Sequence, residues 1–368
     1  MRSNLTLRHI VAGTALCCLS LPALANKAND TLVYASDSEP ENISPYHNNL
    51  REGVIISHLA WDTLIYRNPE TNDYEPMLAT EWHWVDDTTL EMTLREGVKF
   101  QNGEPFNADD VVFTFNYVVS PDSKVVTRQN TDWIKSVEKI DDTHVRFHLN
   151  GPFPAALEYL SGPLPVFPDQ YFQKVGLEGF SKQPIGTGPY RITEVTPGEG
   201  VKMTRNDDYF ADSPLGKPHI GKLEFKVIPD QDSRVAQLMT GQVDWIWRVP
   251  ADQAEQMQGM PNLTVDSGET MRVGYISFDA AKRENSPLSH LEVRQAINHA
   301  INRQGMADNL VRGGSRPLYA PCFPAQFGCE TQDVVEYDYD PDKARQLLAD
   351  AGYGDGFELN LYAYRERD

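Results

Sequence analysis

From residue 31 onward, short runs of alternating polar and apolar residues are interleaved with stretches of helical period, with no fixed repeat and no low-complexity linker. That interleaving reads as an α/β protein with mixed sheets. Strand patterns fall at Thr31–Ala35, Thr89–Leu94, Thr143–Leu149, Tyr190–Val195, Val201–Arg205, Leu223–Ile228, Arg272–Phe278 and Phe357–Tyr364. Helical patterns fall at Val54–Ile65, from Ala108 onward, at Gln231–Met239, at Leu291–Asn302 and at Pro341–Ala351. Their ends are marked chemically. Asn107 precedes Asp109 and Asp110, acids that suit the positive end of a helix dipole, and Asp340-Pro341 opens the last helix before Gly352 closes it. With 25 Gly and 25 Pro, turns are plentiful and long coiled coils are disfavoured. At roughly 150 residues per domain, 368 residues suggest two or more domains.

Residues 1–25 are expected to be a cleaved signal peptide, with Arg2 and Arg8, an apolar run from Ile10 to Leu21, and a small-residue site at Ala23-Leu24-Ala25. The apolar run is too short to span a bilayer. Cys17 and Cys18 lack the small preceding residue that lipid modification favours. The whole chain carries 53 acidic and 33 basic residues, a net charge of −20, and losing the leader's two arginines makes it −22. So acidic a surface excludes a general nucleic-acid binder. Export to an oxidising compartment favours a disulfide between Cys322 and Cys329, with a soft metal pair as the rival reading.

Catalytic signatures are missing. The chain has no His-Glu-x-x-His, no Gly-x-Ser-x-Gly and no Gly-x-x-x-x-Gly-Lys. Gly186-Thr187-Gly188 runs into Pro189, which has no amide to offer a phosphate. His144 and His148 would suit a metal on a helix, yet on a strand they belong to a solvated face with Arg146 between them.

Several segments together resemble the peptide/nickel class (family 5) of extracellular solute-binding proteins of ABC importers. They are Pro76–Trp82, Thr89–Phe100 and Pro105–Phe113, then Pro184–Tyr190, Arg205–Phe210, Val293–Asn302 and Tyr339–Tyr353, in family order from about residue 31 to the end. The resemblance implies a two-lobed periplasmic-binding-protein (Venus-flytrap) fold with mixed sheets and an extra subdomain in the first lobe. Lobe I would comprise 26–48 and 165–270, the extra subdomain 49–164, and lobe II would begin at 271. Because family members are normally longer, lobe II is expected to be incomplete at residue 368.

The function implied is capture without chemistry. A dipeptide or oligopeptide would be held between lobes that close on a hinge, and delivered to an inner-membrane permease and its ATPase. Closure needs the ligand to favour the closed state by roughly 1 to 5 kcal/mol. The protein would be periplasmic and monomeric, with no cofactor. A metal chelate such as nickel or haem, a sugar, and an exported hydrolase are the alternatives. Residues expected to line the cleft are Asn42 and Tyr46 in the loop 39–46, Gly188, Trp245 and Trp247, and Tyr275 and Ser277. Each has a plainer reading as well: Asn42 as a turn former, the tryptophans as core, and Tyr275 and Ser277 as a strand interior. Arg365 and Arg367 could meet anionic ligand groups.

Overall fold

A computed structural model describes residues 29–363 apart from 41, 269, 282–285, 312–313 and 327, so the leader, Arg365 and Arg367 lie outside the described residues. The chain divides into two compact units, up to Trp247 and from Arg248.

In the first unit the strands are β1 (Thr31–Ser36), β2 (Ile65–Arg67), β3 (Tyr74–Pro76), β4 (Ala79–Asp86), β5 (Thr89–Leu94), β6 (Ile134–Lys139), β7 (His144–Leu149), β8 (Tyr190–Thr196), β9 (Gly200–Arg205), β10 (Lys222–Val227) and β11 (Trp245–Ile246). Its helices are α1 (Arg51–Ala60), α2 (Ala108–Val119), α3 (Ala156–Leu160), α4 (Asp169–Lys182) and α5 (Gln231–Met239). A five-stranded mixed sheet runs in the order β11-β1-β10-β9-β8, with β1 parallel to both of its neighbours and β8 and β9 antiparallel. A second, antiparallel sheet has the order β4-β5-β7-β6, and β2 pairs with β3.

The alternation read in β5 and β7 decides which face of the second sheet is buried. Leu90, Met92, Leu94, Val145, Phe147 and Leu149 are all buried, and α2 lies on them with Phe115 edge-on to Phe147 at 4.9 Å. Asn116 fastens that helix to the edge strand β6, donating to Val137 O at 2.8 Å and accepting from Val137 N at 2.9 Å. The side chain thereby stands in for a missing strand neighbour. The opposite face carries a row of charge. Arg146 reaches Glu138 at 2.6 Å and, through Nε, Glu91 at 2.7 Å, while His83 lies 3.3 Å from Glu91 and His148 3.4 Å from Glu138.

The start of α2 closes a capping box: Asn107 Oδ1 accepts from Asp109 N at 2.7 Å and Asp110 Oδ2 accepts from Asn107 N at 2.9 Å. Asp110 is also a tie between elements, because its Oδ1 accepts from Asp169 N at 2.9 Å at the start of α4. Burial pushes its carboxyl up to about 7.

The helix expected over Val54–Ile65 is shifted toward the N-terminus and ends at Ala60. Gly188 N donates to the Ala60 carbonyl at 3.0 Å and Trp61 Nε1 donates to Ile185 O at 2.9 Å. The chain therefore turns extended at Trp61, and Leu64 and Ile65 enter the core.

The second unit contains α6 (Ala251–Met257), α7 (Leu291–Ala300), α8 (Arg303–Met306) and α9 (Pro341–Asp350). Asp340 caps α9 by accepting from Lys343 N at 2.9 Å. Cys322 and Cys329 are joined by a disulfide with their Cα atoms 5.7 Å apart. The strands expected at 272–278 and over the described part of 357–364 are not formed. A strand is held by hydrogen bonds from a neighbour, and neither segment has one among the described residues. Tyr275, Leu361 and Tyr362 are accordingly exposed. Among the described residues no helix is long and apolar enough to cross a membrane.

Candidate functional site

In open α/β sheets the crevice at the carboxyl ends of the parallel strands is where ligands bind. Here that end is formed by β1, β10 and β11. β11 is only two residues long, and Asp244 lengthens its hold on β1: Asp244 Oδ2 accepts from Val33 N and Asp244 N donates to Val33 O, both at 2.8 Å. This register sets Tyr34 opposite Trp245. Tyr34 packs edge-on to Phe225 at 4.8 Å and tilted against Trp245 at 4.9 Å, giving one aromatic row across three strands. Its outer member, Trp245, is 52% exposed.

The next row is polar. Ser36, the last residue of β1, is fully buried and donates to Glu52 Oε1 at 2.6 Å, while Trp247 Nε1 donates to Ser36 Oγ at 3.2 Å. Glu52 lies in the first turn of α1, where the helix dipole favours a carboxylate, and is 4% exposed. Its neighbour Arg51 places its guanidinium 4.4 Å from the centre of the Trp247 ring. Burial, reinforced by the negative charges of Glu52 and Asp37, pushes the Tyr34 phenol well above its ordinary value, so it stays protonated.

The sequence-derived site residues separate into three groups. Trp245 and Trp247 stand together at this rim. Asn42, Tyr46 and Gly188 lie elsewhere in the first unit, each engaged with the protein itself. Asn42 Oδ1 accepts from Ser44 N at 2.7 Å and from Ser181 Oγ at 2.9 Å. Tyr46 is buried, donates to Pro165 O at 2.6 Å and meets Phe167 edge-on. Gly188 O accepts from Gln101 Nε2 and Asn206 Nδ2, both at 3.1 Å. Beside it, Thr187 donates to the buried carboxylate of Asp62 at 2.7 Å, and Tyr209 donates to the other oxygen at 2.8 Å. Tyr275 and Ser277 belong to the second unit and are exposed.

Sequence reasoning missed Tyr34, Ser36, Arg51 and Glu52. Tyr34 read as ordinary strand core, and nothing local shows that residue 36 and residue 52 meet. The available signal was indirect: a β-branched strand ending in Ser beside a proline-rich loop marks a strand end, and only parallel pairing makes that end a binding edge.

A model of the bacterial extracellular solute-binding proteins, family 5, matches residues 73–368. The chain belongs to this family. Among curated family-5 relatives, Heme-binding protein A of Haemophilus influenzae is 28% identical over 92% of this chain and 64% of its own length. Oligopeptide-binding protein AppA of Bacillus subtilis is 30% identical over 88% of this chain and 60% of its own. The chain thus spans about two thirds of the length of the curated relatives it matches. Among solved structures, the periplasmic binding protein DppA of Helicobacter pylori, in complex with the peptide STSA, matches with a TM-score of 0.75 and 28% identity, over 89% of this chain and 67% of that one. The fold class is that of the two-lobed periplasmic binding proteins.

In this family-5 chain the rim offers an indole half open to solvent, a second indole carrying a guanidinium, and a buried carboxylate. Aromatic faces take apolar side chains and cations, and the carboxylate takes N–H donors. That is equipment for holding a polar organic solute. Among the described residues no group of three or more His, Cys, Asp or Glu is arranged to hold a metal ion.

Proposed function

We propose that this chain is the solute-binding component of an ABC importer, exported behind a cleaved signal peptide to the periplasm. It captures dipeptides or oligopeptides, as a monomer and without chemical change, and presents them to an inner-membrane permease and its ATPase. Lobe I comprises 26–48 and 165–270, the extra subdomain 49–164, and lobe II starts at 271. The two sheets support that division, since the mixed sheet draws its strands from 31–36 and 190–246, and the antiparallel sheet lies within 79–149. The observation that carries the ligand class is the rim itself, where Trp247 bonds the Ser36–Glu52 pair and Trp245 packs on the neighbouring Tyr34. Relatives that bind peptides support it: AppA by its name, and the Helicobacter protein by its bound STSA.

A second reading, a haem or nickel chelate, rests on Heme-binding protein A among the relatives and on NikZ of Campylobacter jejuni, solved with Ni(L-His), at 27% identity and a TM-score of 0.70. Thermal-shift measurement of the full chain separates the two. A ligand at a hundred times its dissociation constant stabilises by about 2.7 kcal/mol. Stabilisation by a pool of di- to pentapeptides supports peptide capture; stabilisation by haem or nickel-histidine with no peptide response overturns it.

A further inference from the structure

We propose that Glu52 is the specificity-determining residue of this rim and holds a cationic N–H donor of the ligand, an ammonium or guanidinium group, with Trp245 and Trp247 as its aromatic walls. The inference rests on the peptide reading above and names the part of the ligand that is recognised.

Glu52 is 4% exposed as a whole residue, and its Oε2 is not sealed away from solvent. The dipole of α1 explains why an acid is tolerated in that first turn. It does not supply hydrogen bonds. Among the described residues the carboxylate has one hydrogen-bond partner, Ser36, on Oε1, which leaves Oε2 without a donor. A carboxylate oxygen that the protein leaves open binds a charged N–H donor more strongly than a neutral one.

The adjacent cation does not fill the role. Arg51 is turned onto the Trp247 ring at 4.4 Å and makes no ion pair with Glu52. Its position shows that an indole at this edge accepts a cation on its face, and the half-exposed ring of Trp245 offers a second such face. Tyr34, behind Trp245, is held protonated and adds no charge of its own. Ser36 is spent on Oε1 and itself accepts from Trp247, so it orients the carboxylate while the free oxygen points selectivity toward cations.

Calorimetric titration of the full chain with three probes tests this: trialanine, N-acetyl-trialanine, and N-acetyl-Ala-Lys-Ala. Wild type is expected to bind at least one of the two cationic peptides about tenfold or more tightly than N-acetyl-trialanine. Preference for trialanine assigns the amino terminus; preference for the lysine peptide assigns a side chain. Glu52→Gln is expected to erase that preference. Ser36→Ala, which keeps the charge and removes the bond that orients it, is expected to weaken the preference by severalfold. Should Glu52→Gln fail to fold, Glu52→Asp, which draws the carboxylate back by one methylene, is expected to weaken the preference by severalfold. A preference left intact in the Glu52 variant that folds overturns the inference alone, as does a wild type that binds all three probes equally. A wild type that binds none of them overturns the peptide reading, and this inference falls with it.

Discussion

Replacing Gly188 by alanine probes the joint on which the first unit turns. A Cβ at that position would lie 2.5 Å from the Ala60 carbonyl carbon and 2.7 Å from Trp61 N. Carbon contacts settle near 3.5 to 4 Å, so the new methyl is short by about 1 Å and meets backbone, which cannot rotate away. Overpacking of this kind costs typically 1 to 3 kcal/mol. Moving the turn outward also loosens Gly188 N to Ala60 O at 3.0 Å and the bond from Gln101 Nε2 to Gly188 O at 3.1 Å, each worth about 1 kcal/mol. The expected loss is about 2 to 4 kcal/mol, visible as a lower urea midpoint followed by tryptophan fluorescence. Gly151→Ala is the control, because nothing lies within 4 Å of where its methyl would stand, and it should stay within about 1 kcal/mol of wild type. Were Gly188→Ala to unfold within about 0.5 kcal/mol of wild type, the turn would not be a packing joint and would not set where α1 ends.

Two further outcomes follow from the charged groups. Because burial lifts the Asp110 carboxyl from 3.8 to about 7, the folded state binds its proton more tightly than the unfolded chain does. Its contribution to stability therefore falls as pH rises from about 4 to about 7, at up to ~1.4 kcal/mol per pH unit. The difference in unfolding free energy between wild type and Asp110→Asn should shrink across that window, and a difference that stays constant with pH refutes the assignment. Arg146→Leu removes the centre of the row His83–Glu91–Arg146–Glu138. The site is partly exposed, so a loss of about 1 kcal/mol is expected at low salt, with much of it gone at about 1 M salt; a loss indifferent to salt would implicate packing in place of charge.

The residues differ in how far their neighbours along the chain determine them. β5 and α5 form over the spans read from pattern alone, and the Asn107 cap and the Asp340 cap hold the donors expected of them. In these cases the governing forces act within a few residues: side-chain alternation, an orphan N–H, a helix dipole. Asp109 and Asp110 show the limit of that view. Both suit a helix start, yet only Asp110 also reaches Asp169 N across 59 residues, and it is burial, acting against that bond, that lifts its carboxyl. The segments at 272–278 and 357–363 show the limit from the other side, because strand propensity without a strand neighbour leaves a chain outside any sheet and mostly exposed.

From the chain alone came the mixed α/β class, the family and the acidic composition, since composition, caps and ordered motifs are local properties. What only the fold decided is which of the nominated residues share a place. Gly188 and Tyr46 spend their groups on the protein, while Ser36 and Glu52, 16 residues apart and unremarkable in sequence, meet under Trp247. The reason is physical: parallel pairing of β1 with β11 is a contact between residues 211 positions apart, as the bond from Val33 to Asp244 records, and no pattern near either residue encodes its partner.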